Sequence, residues 1–134
     1  MSLTASCHCG AVKVELSAEP NNAHECNCSF CRRSGAIWSN YPREQITDGP
    51  TDQQAIYSAN DGPNRHYFCA HCGMHVWGDS PDWSSAFNND GTPKDGVDPN
   101  VVPDKRSYQV NLRMIDGLAL DKIDIEQMDG LNNW

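Results

Sequence analysis

The chain has 134 residues, 38% of them hydrophobic, which is room for one domain over residues 1–134 with a core thin enough to need a staple. Ten lysines and arginines stand against 18 acidic residues, and a net charge of −8 gives a nucleic-acid backbone no electrostatic footing, so no nucleic-acid partner is expected. The apolar runs are far shorter than the roughly 20 residues of a membrane span, and Met1-Ser2-Leu3-Thr4-Ala5-Ser6 lacks a basic region leading into an apolar stretch. The expectation is a cytoplasmic protein with no membrane partner and with reduced cysteines.

In chain order, residues 11–16 alternate, with Val12, Val14 and Leu16 on one face, and predict a strand that ends at the turn Glu19-Pro20-Asn21-Asn22. The segment from Cys26 into Arg32 and Arg33 predicts one helical turn. Residues 36–41 predict a strand closed by Pro42, and further strands are expected at 54–58, 65–69, 75–78, 107–115 and 123–128. Residues 79–105 hold Pro81, Pro93, Pro99 and Pro103 among many Asp, Asn and Gly. A loop of that length is either functional or disordered, and Trp83 and Phe87 favour a folded flap. With no long helix, the fold class is mostly β, strands joined by metal-bearing turns.

Those turns are marked by seven cysteines in three clusters: Cys7-His8-Cys9-Gly10, Cys26-Asn27-Cys28-Ser29-Phe30-Cys31, and Cys69-Ala70-His71-Cys72-Gly73. An odd count, the absence of a secretion signal and two spacings of one residue argue against disulfides and for metal. Zinc takes soft ligands in a tetrahedron, which thiolates one or two residues apart can begin to build. Gly10 and Gly73 follow the last cysteine of their clusters, where the chain must wrap the metal with a positive φ. That shared feature pairs Cys7 and Cys9 with Cys69 and Cys72 as a closed structural site, tying the first strand to the middle of the sheet. Cys26, Cys28 and Cys31 differ, with Arg32 in place of the glycine. Three protein ligands and an open position describe a catalytic zinc, while a fourth ligand from His24, His66, His71 or His75 would make a second structural site.

The series CxCG, CxCxxC and CxxCG resembles the glutathione-dependent formaldehyde-activating enzyme family, which includes centromere protein V. The resemblance rests on Ser6-Cys7-His8-Cys9-Gly10-Ala11-Val12, on residues 28–36, on Phe68-Cys69-Ala70-His71-Cys72-Gly73, and on a tail with Val110-Asn111-Leu112-Arg113, Asp116-Gly117 and Met128-Asp129-Gly130. It implies a β-tent fold with two zinc ions: a structural one on Cys7, Cys9, Cys69 and Cys72, and a catalytic one on Cys26, Cys28 and Cys31. It also implies a carbon–sulfur lyase acting on a small thiol–aldehyde adduct such as S-(hydroxymethyl)glutathione. The second site is expected to lose metal on purification. No separate organic cofactor is expected.

Around the implied catalytic zinc, Arg32 and Arg33 are candidate counter-charges to three thiolates, and His24 is a candidate proton carrier. Arg43, Arg65 and Arg113 are candidate forks for the two carboxylates of a glutathione partner. Trp38 and Tyr41 are expected in the core and cavity wall. The alternative functions are a non-catalytic zinc-stapled binding or scaffold module, and a metal-handling or redox-sensing protein. Oligomeric state has no signature in the sequence.

Overall fold

A computed structural model describes residues 2–134 as two β-sheets with a shared core. The smaller sheet is antiparallel, in the order β1 (Leu3–Ser6), β2 (Lys13–Leu16), β5 (Ile46–Asp48). The larger has seven strands. From one edge they run β10 (Glu126–Met128), β3 (His24–Cys26), β4 (Trp38–Tyr41), β9 (Arg106–Asn111), β8 (His75–Pro81), β7 (Arg65–Cys69) and β6 (Gln54–Tyr57). Among the described strands only the β10–β3 pair is parallel, with Met128 opposite Cys26. The mostly-β expectation is met.

The core forms where alternating apolar residues of the two sheets meet. Val14 and Leu16 of β2 face Val76, Val110 and Leu112, all essentially without solvent exposure. Tyr41 joins them and donates its hydroxyl to the Ala18 carbonyl at 3.0 Å, which satisfies the one polar atom it brings inside. Each of the seven expected strands is present, most of them shorter than expected. The strand expected at 107–115 stops at Asn111, and a 3-10 turn follows at Leu112–Met114. The reason is Asn111 itself. Buried, it accepts from the backbone of Ile37 and Arg113 and donates to the His75 carbonyl at 2.9 Å, so it pins β4 and β8 while turning the chain.

The expected flap loses its first residues to the sheet, since β8 continues through Asp79 to Pro81. Its next stretch is folded: a 3-10 turn at Trp83–Ser85, buried Ala86, and a bridge from Phe87 to Pro93. The Trp83 indole donates to Asn64 Oδ1 at 2.9 Å. Asp79 is buried and held by Arg65 at 2.8 and 2.9 Å and by Arg106 at 3.0 Å, so its charge is paired twice. The α-helices among the described residues are short, α1 (Ser29–Ser34) and α2 (Gly130–Asn133), and no described helix is long and apolar enough to cross a membrane.

Candidate metal centres

No disulfide joins the seven cysteines, and they gather into two groups. The sulfurs of Cys7, Cys9, Cys69 and Cys72 lie within 4.8 Å of one another, as do those of Cys26, Cys28 and Cys31. Both groupings are the ones the knuckle spacing and the two glycines suggest.

The four-cysteine group is built by two turns. Cys7 and Cys9 occupy the connection from β1 to β2, Cys69 closes β7, and Cys72 lies in the turn from β7 to β8. Gly10 and Gly73 adopt φ of 85° and 81°, a left-handed conformation in which a side chain is strained. With that turn made, backbone N–H groups point at sulfur: Val12 donates to Cys7 Sγ at 3.2 Å, His71 and Cys72 to Cys69 Sγ at 3.4 Å. Against desolvation, the N–H groups of Cys9 and Met74 hold the Cys72 thiol down at about 6. The site differs from its expected location in one respect. The chain's first strand belongs to the smaller sheet, so this cluster joins two sheets rather than two parts of one.

The three-cysteine group sits at the other end of the larger sheet. Cys26 closes β3, Cys28 caps α1 by accepting from the Cys31 N–H at 3.4 Å, and Cys31 lies within that helix. Burial pushes the Cys31 thiol up to about 12, with the Trp38 indole favouring the thiolate against it. A cation bound beside it would offset the lost hydration and favour the thiolate. Among the described residues, no histidine or carboxylate atom joins this group. His66 and His75 instead clamp Phe30, the first stacked on it at 3.8 Å between ring centroids and the second edge-on at 5.2 Å. His71 stays in its own turn beside Cys69. His24 shares the face of β3 with Cys26, two residues on, and burial holds its pKa below the ordinary imidazole value.

The candidate cations fare unequally. Arg33 donates to the Ser29 carbonyl at 3.0 Å across its own helix turn, whereas Arg32 makes no ion pair or side-chain hydrogen bond among the described residues. The three candidate carboxylate forks are engaged: Arg43 with Asp48 at 2.8 Å, Arg65 with Asp79, and Arg113 with the Gly35 carbonyl at 2.6 Å and Glu25 at 3.8 Å.

Sequence reasoning missed the C-terminal segment as part of this centre. Asn27, between two of the cysteines, donates to Asp129 at 3.0 Å, accepts from the Leu131 N–H at 2.9 Å, and gives its own N–H to the Met128 carbonyl at 3.2 Å. Gly130 is pressed so close that a Cβ there would lie 2.6 Å from Cys26 Sγ and 2.8 Å from Trp134 Nε1. The only local signal is the run Met128-Asp129-Gly130, which carries no ligand of its own.

Two cavities flank the centre. One of about 470 Å³ is walled by Trp83, Phe87, Met128 and Trp134, with Asn64 and Asn88 at its edge. The other, about 790 Å³ and more open, runs past Phe30, Arg33 and His75. The flap aromatics therefore do wall a cavity next to the cysteine group, though Arg33 faces the other one.

A small two-sheet β protein with one four-thiol and one three-thiol group is the class these features define. The sequence model of the glutathione-dependent formaldehyde-activating enzyme family matches residues 2–108, and the chain belongs to that family. A Halomonas elongata protein provisionally given that enzyme name is 32% identical over 93 residues, 62% of this chain. A Penicillium rubens protein with the same provisional name is 30% identical over 78 residues, 54% of this chain. The chain spans 59% and 41% of those relatives' own lengths. A crystal structure of a Rhodobacter sphaeroides protein has the same fold, with a TM-score of 0.62 over 94% of this chain and 100% of that one at 24% identity.

Proposed function

We propose that the protein is a zinc-dependent carbon–sulfur lyase that joins a small thiol to an aldehyde and reverses that joining. The observation that carries this reading is the three-cysteine group, compact enough for one ion and joined by no histidine or carboxylate among the described residues. The four-cysteine group fits zinc by its spacing. Metal–sulfur bonds of about 2.3 Å set tetrahedral edges of about 3.8 Å, and Cys9 Sγ lies 3.7 Å from Cys7 Sγ and 3.6 Å from Cys69 Sγ. That site is structural in this reading, and Cys26, Cys28 and Cys31 hold the catalytic ion.

A zinc ion with an open position supplies Lewis acidity that stabilises a substrate sulfur as thiolate. The balance of the reaction is simple: the sulfur–carbon bond forms as the carbonyl π bond opens, and the thiol proton ends on the new hydroxyl. The chain's residues arrange this in parts. The N–H of Cys28 donates to Cys26 Sγ and that of Cys31 to Cys28 Sγ, each at 3.4 Å, which fixes the ligand sulfurs. His24, kept neutral by burial, is the proton carrier nearest Cys26 on its strand. Arg32 offsets the net negative charge of three thiolates around a divalent ion. Family membership makes glutathione and formaldehyde the first pair to assay, and the cytoplasm, where both meet reduced cysteines, the compartment in which the activity belongs.

The test separates the two groups. Cys28→Ser is expected to abolish lyase activity while circular dichroism shows the sheets intact; Cys72→Ser is expected to unfold the domain, because structural zinc binding is largely folding free energy. Equal unfolding by both substitutions would defeat the open-site reading in favour of a zinc-stapled scaffold.

A further inference from the structure

Glutathione carries two carboxylates, and a site that accepts it must neutralise or solvate both. The structure commits its arginines elsewhere. Arg43, Arg65 and Arg113 pair with the chain's own Asp48, Asp79 and Glu25, and Arg106 also binds Asp79. Arg33 closes its own helix turn, which leaves Arg32 alone beside the centre. The cavity on the Cys26 side has no Lys, Arg or His in its wall among the described residues.

That cavity adjoins the metal centre across one piece of backbone. Met128 is the cross-strand neighbour of Cys26, so the two side chains share a face of the sheet, and Met128 lines the cavity. Two residues on, Gly130 packs on Cys26 Sγ and on the Trp134 indole, and Trp134 is the cavity's next wall. Across from them, Trp83 is oriented by its hydrogen bond to Asn64, with Phe87 at 6.1 Å between ring centroids. Three aromatic rings and a thioether, trimmed with neutral amides, make a wall that favours apolar and aromatic bodies. A volume of about 470 Å³ suits a small molecule. A carboxylate placed there would meet neutral amides but no positive charge to offset its lost hydration.

We propose that the thiol used by this protein has a neutral, aromatic or apolar body that lies between Trp83, Phe87, Met128 and Trp134 while its sulfur reaches the Cys26 group, and that glutathione is the poorer ligand. The inference rests on the lyase reading of that group. The mechanism of bond making is unchanged; the body attached to the sulfur is what differs.

The experiment uses the 134-residue protein with cobalt in the metal sites, titrated in parallel with benzyl mercaptan and with glutathione while the thiolate-to-cobalt absorption is followed. Benzyl mercaptan is expected to reach half-saturation at a concentration at least tenfold lower than glutathione, and Trp83→Ala to shrink that advantage severalfold. Tryptophan fluorescence titrated with benzyl alcohol, which has the body without the sulfur, is expected to saturate in the unsubstituted protein. Glutathione binding as tightly as benzyl mercaptan, or no fluorescence response, overturns this inference while a cobalt response to either thiol leaves the lyase reading standing. Silence of the cobalt spectrum towards both thiols removes the lyase reading and the inference together.

Discussion

His66 and His75 show how much of this centre is made by residues that bind no metal. They hold Phe30 between them, and Phe30 stands between Cys28 and Cys31, so the imidazoles brace the helix that carries two of the three sulfurs. Their Nδ1 atoms are buried without a hydrogen-bond partner. Burial first, and then the neighbouring His75, pushes the His66 pKa down to about 4, and burial also lowers that of His75. A folded-state value below the unfolded one of about 6.5 means the unfolded chain binds the proton more readily, so stability is full above that pH and is lost as the pH falls towards 4. Denaturation midpoints measured across this range are expected to fall with acidification, and His66→Phe, which keeps the stack on Phe30, is expected to flatten part of that slope. An unchanged slope in the variant would assign the acid sensitivity to the other groups that take up protons on unfolding, His24 and His75 among them.

At the scale of elements, the small parallel pair β10–β3 sets the geometry of the three-cysteine group. It brings Met128 beside Cys26, and Asn27 and Asp129, 102 residues apart in sequence, then lock the two segments together. Residues behind metal ligands typically change affinity about tenfold to a hundredfold when removed. Gly130→Ala drives a methyl into Cys26 Sγ and the Trp134 ring, and Asn27→Ala removes the two side-chain hydrogen bonds to Asp129 and Leu131. Both are expected to weaken metal binding at Cys26, Cys28 and Cys31 by about tenfold or more in chelator competition, with the four-cysteine group unaffected. A loss shared equally by both sites would show that the substitutions act through general instability.

This element also marks where the sequence stops being readable. The cysteine groups were legible because ligand identity, spacing and the two glycines are all written within a few residues of each other. β6 to β8 were legible because alternation is local. β1, β3 and β5 were not: Leu3–Ser6, His24–Cys26 and Ile46–Asp48 are three or four residues long, with too few apolar positions to show a period. Their existence depends on partners elsewhere, β3 on Met128 and Trp38, β5 on β2. The arginines failed to declare themselves for the same reason. Arg65 and Arg106 meet at Asp79 only after β7, β8 and β9 align, and no spacing rule announces a pair made across three strands.

At the scale of the molecule, the two metal groups hold different things. The four-cysteine group draws one pair of sulfurs from the β1–β2 connection and the other from the end of β7 and the turn after it, so an ion held there would clamp the smaller sheet onto the larger one, 60 residues away between Cys9 and Cys69. The sheets also share the buried core, the hydrogen bond from Tyr41 to the Ala18 carbonyl and the isolated bridge between Ala5 and Ile115. The three-cysteine group gathers its sulfurs from one short run of chain on one sheet, so an ion held there would not tie the two sheets together. A site with three protein ligands also releases its ion more readily than one with four. Stepwise chelation of metal-loaded protein is therefore expected to give two phases. The first ion should leave with activity and with little change in near-ultraviolet circular dichroism, and its return should restore activity. The second should leave only as the dichroism collapses, because removing it separates the sheets. Release of both ions in a single step, coincident with unfolding, would mean that the Cys26 group is as much a structural clamp as its neighbour.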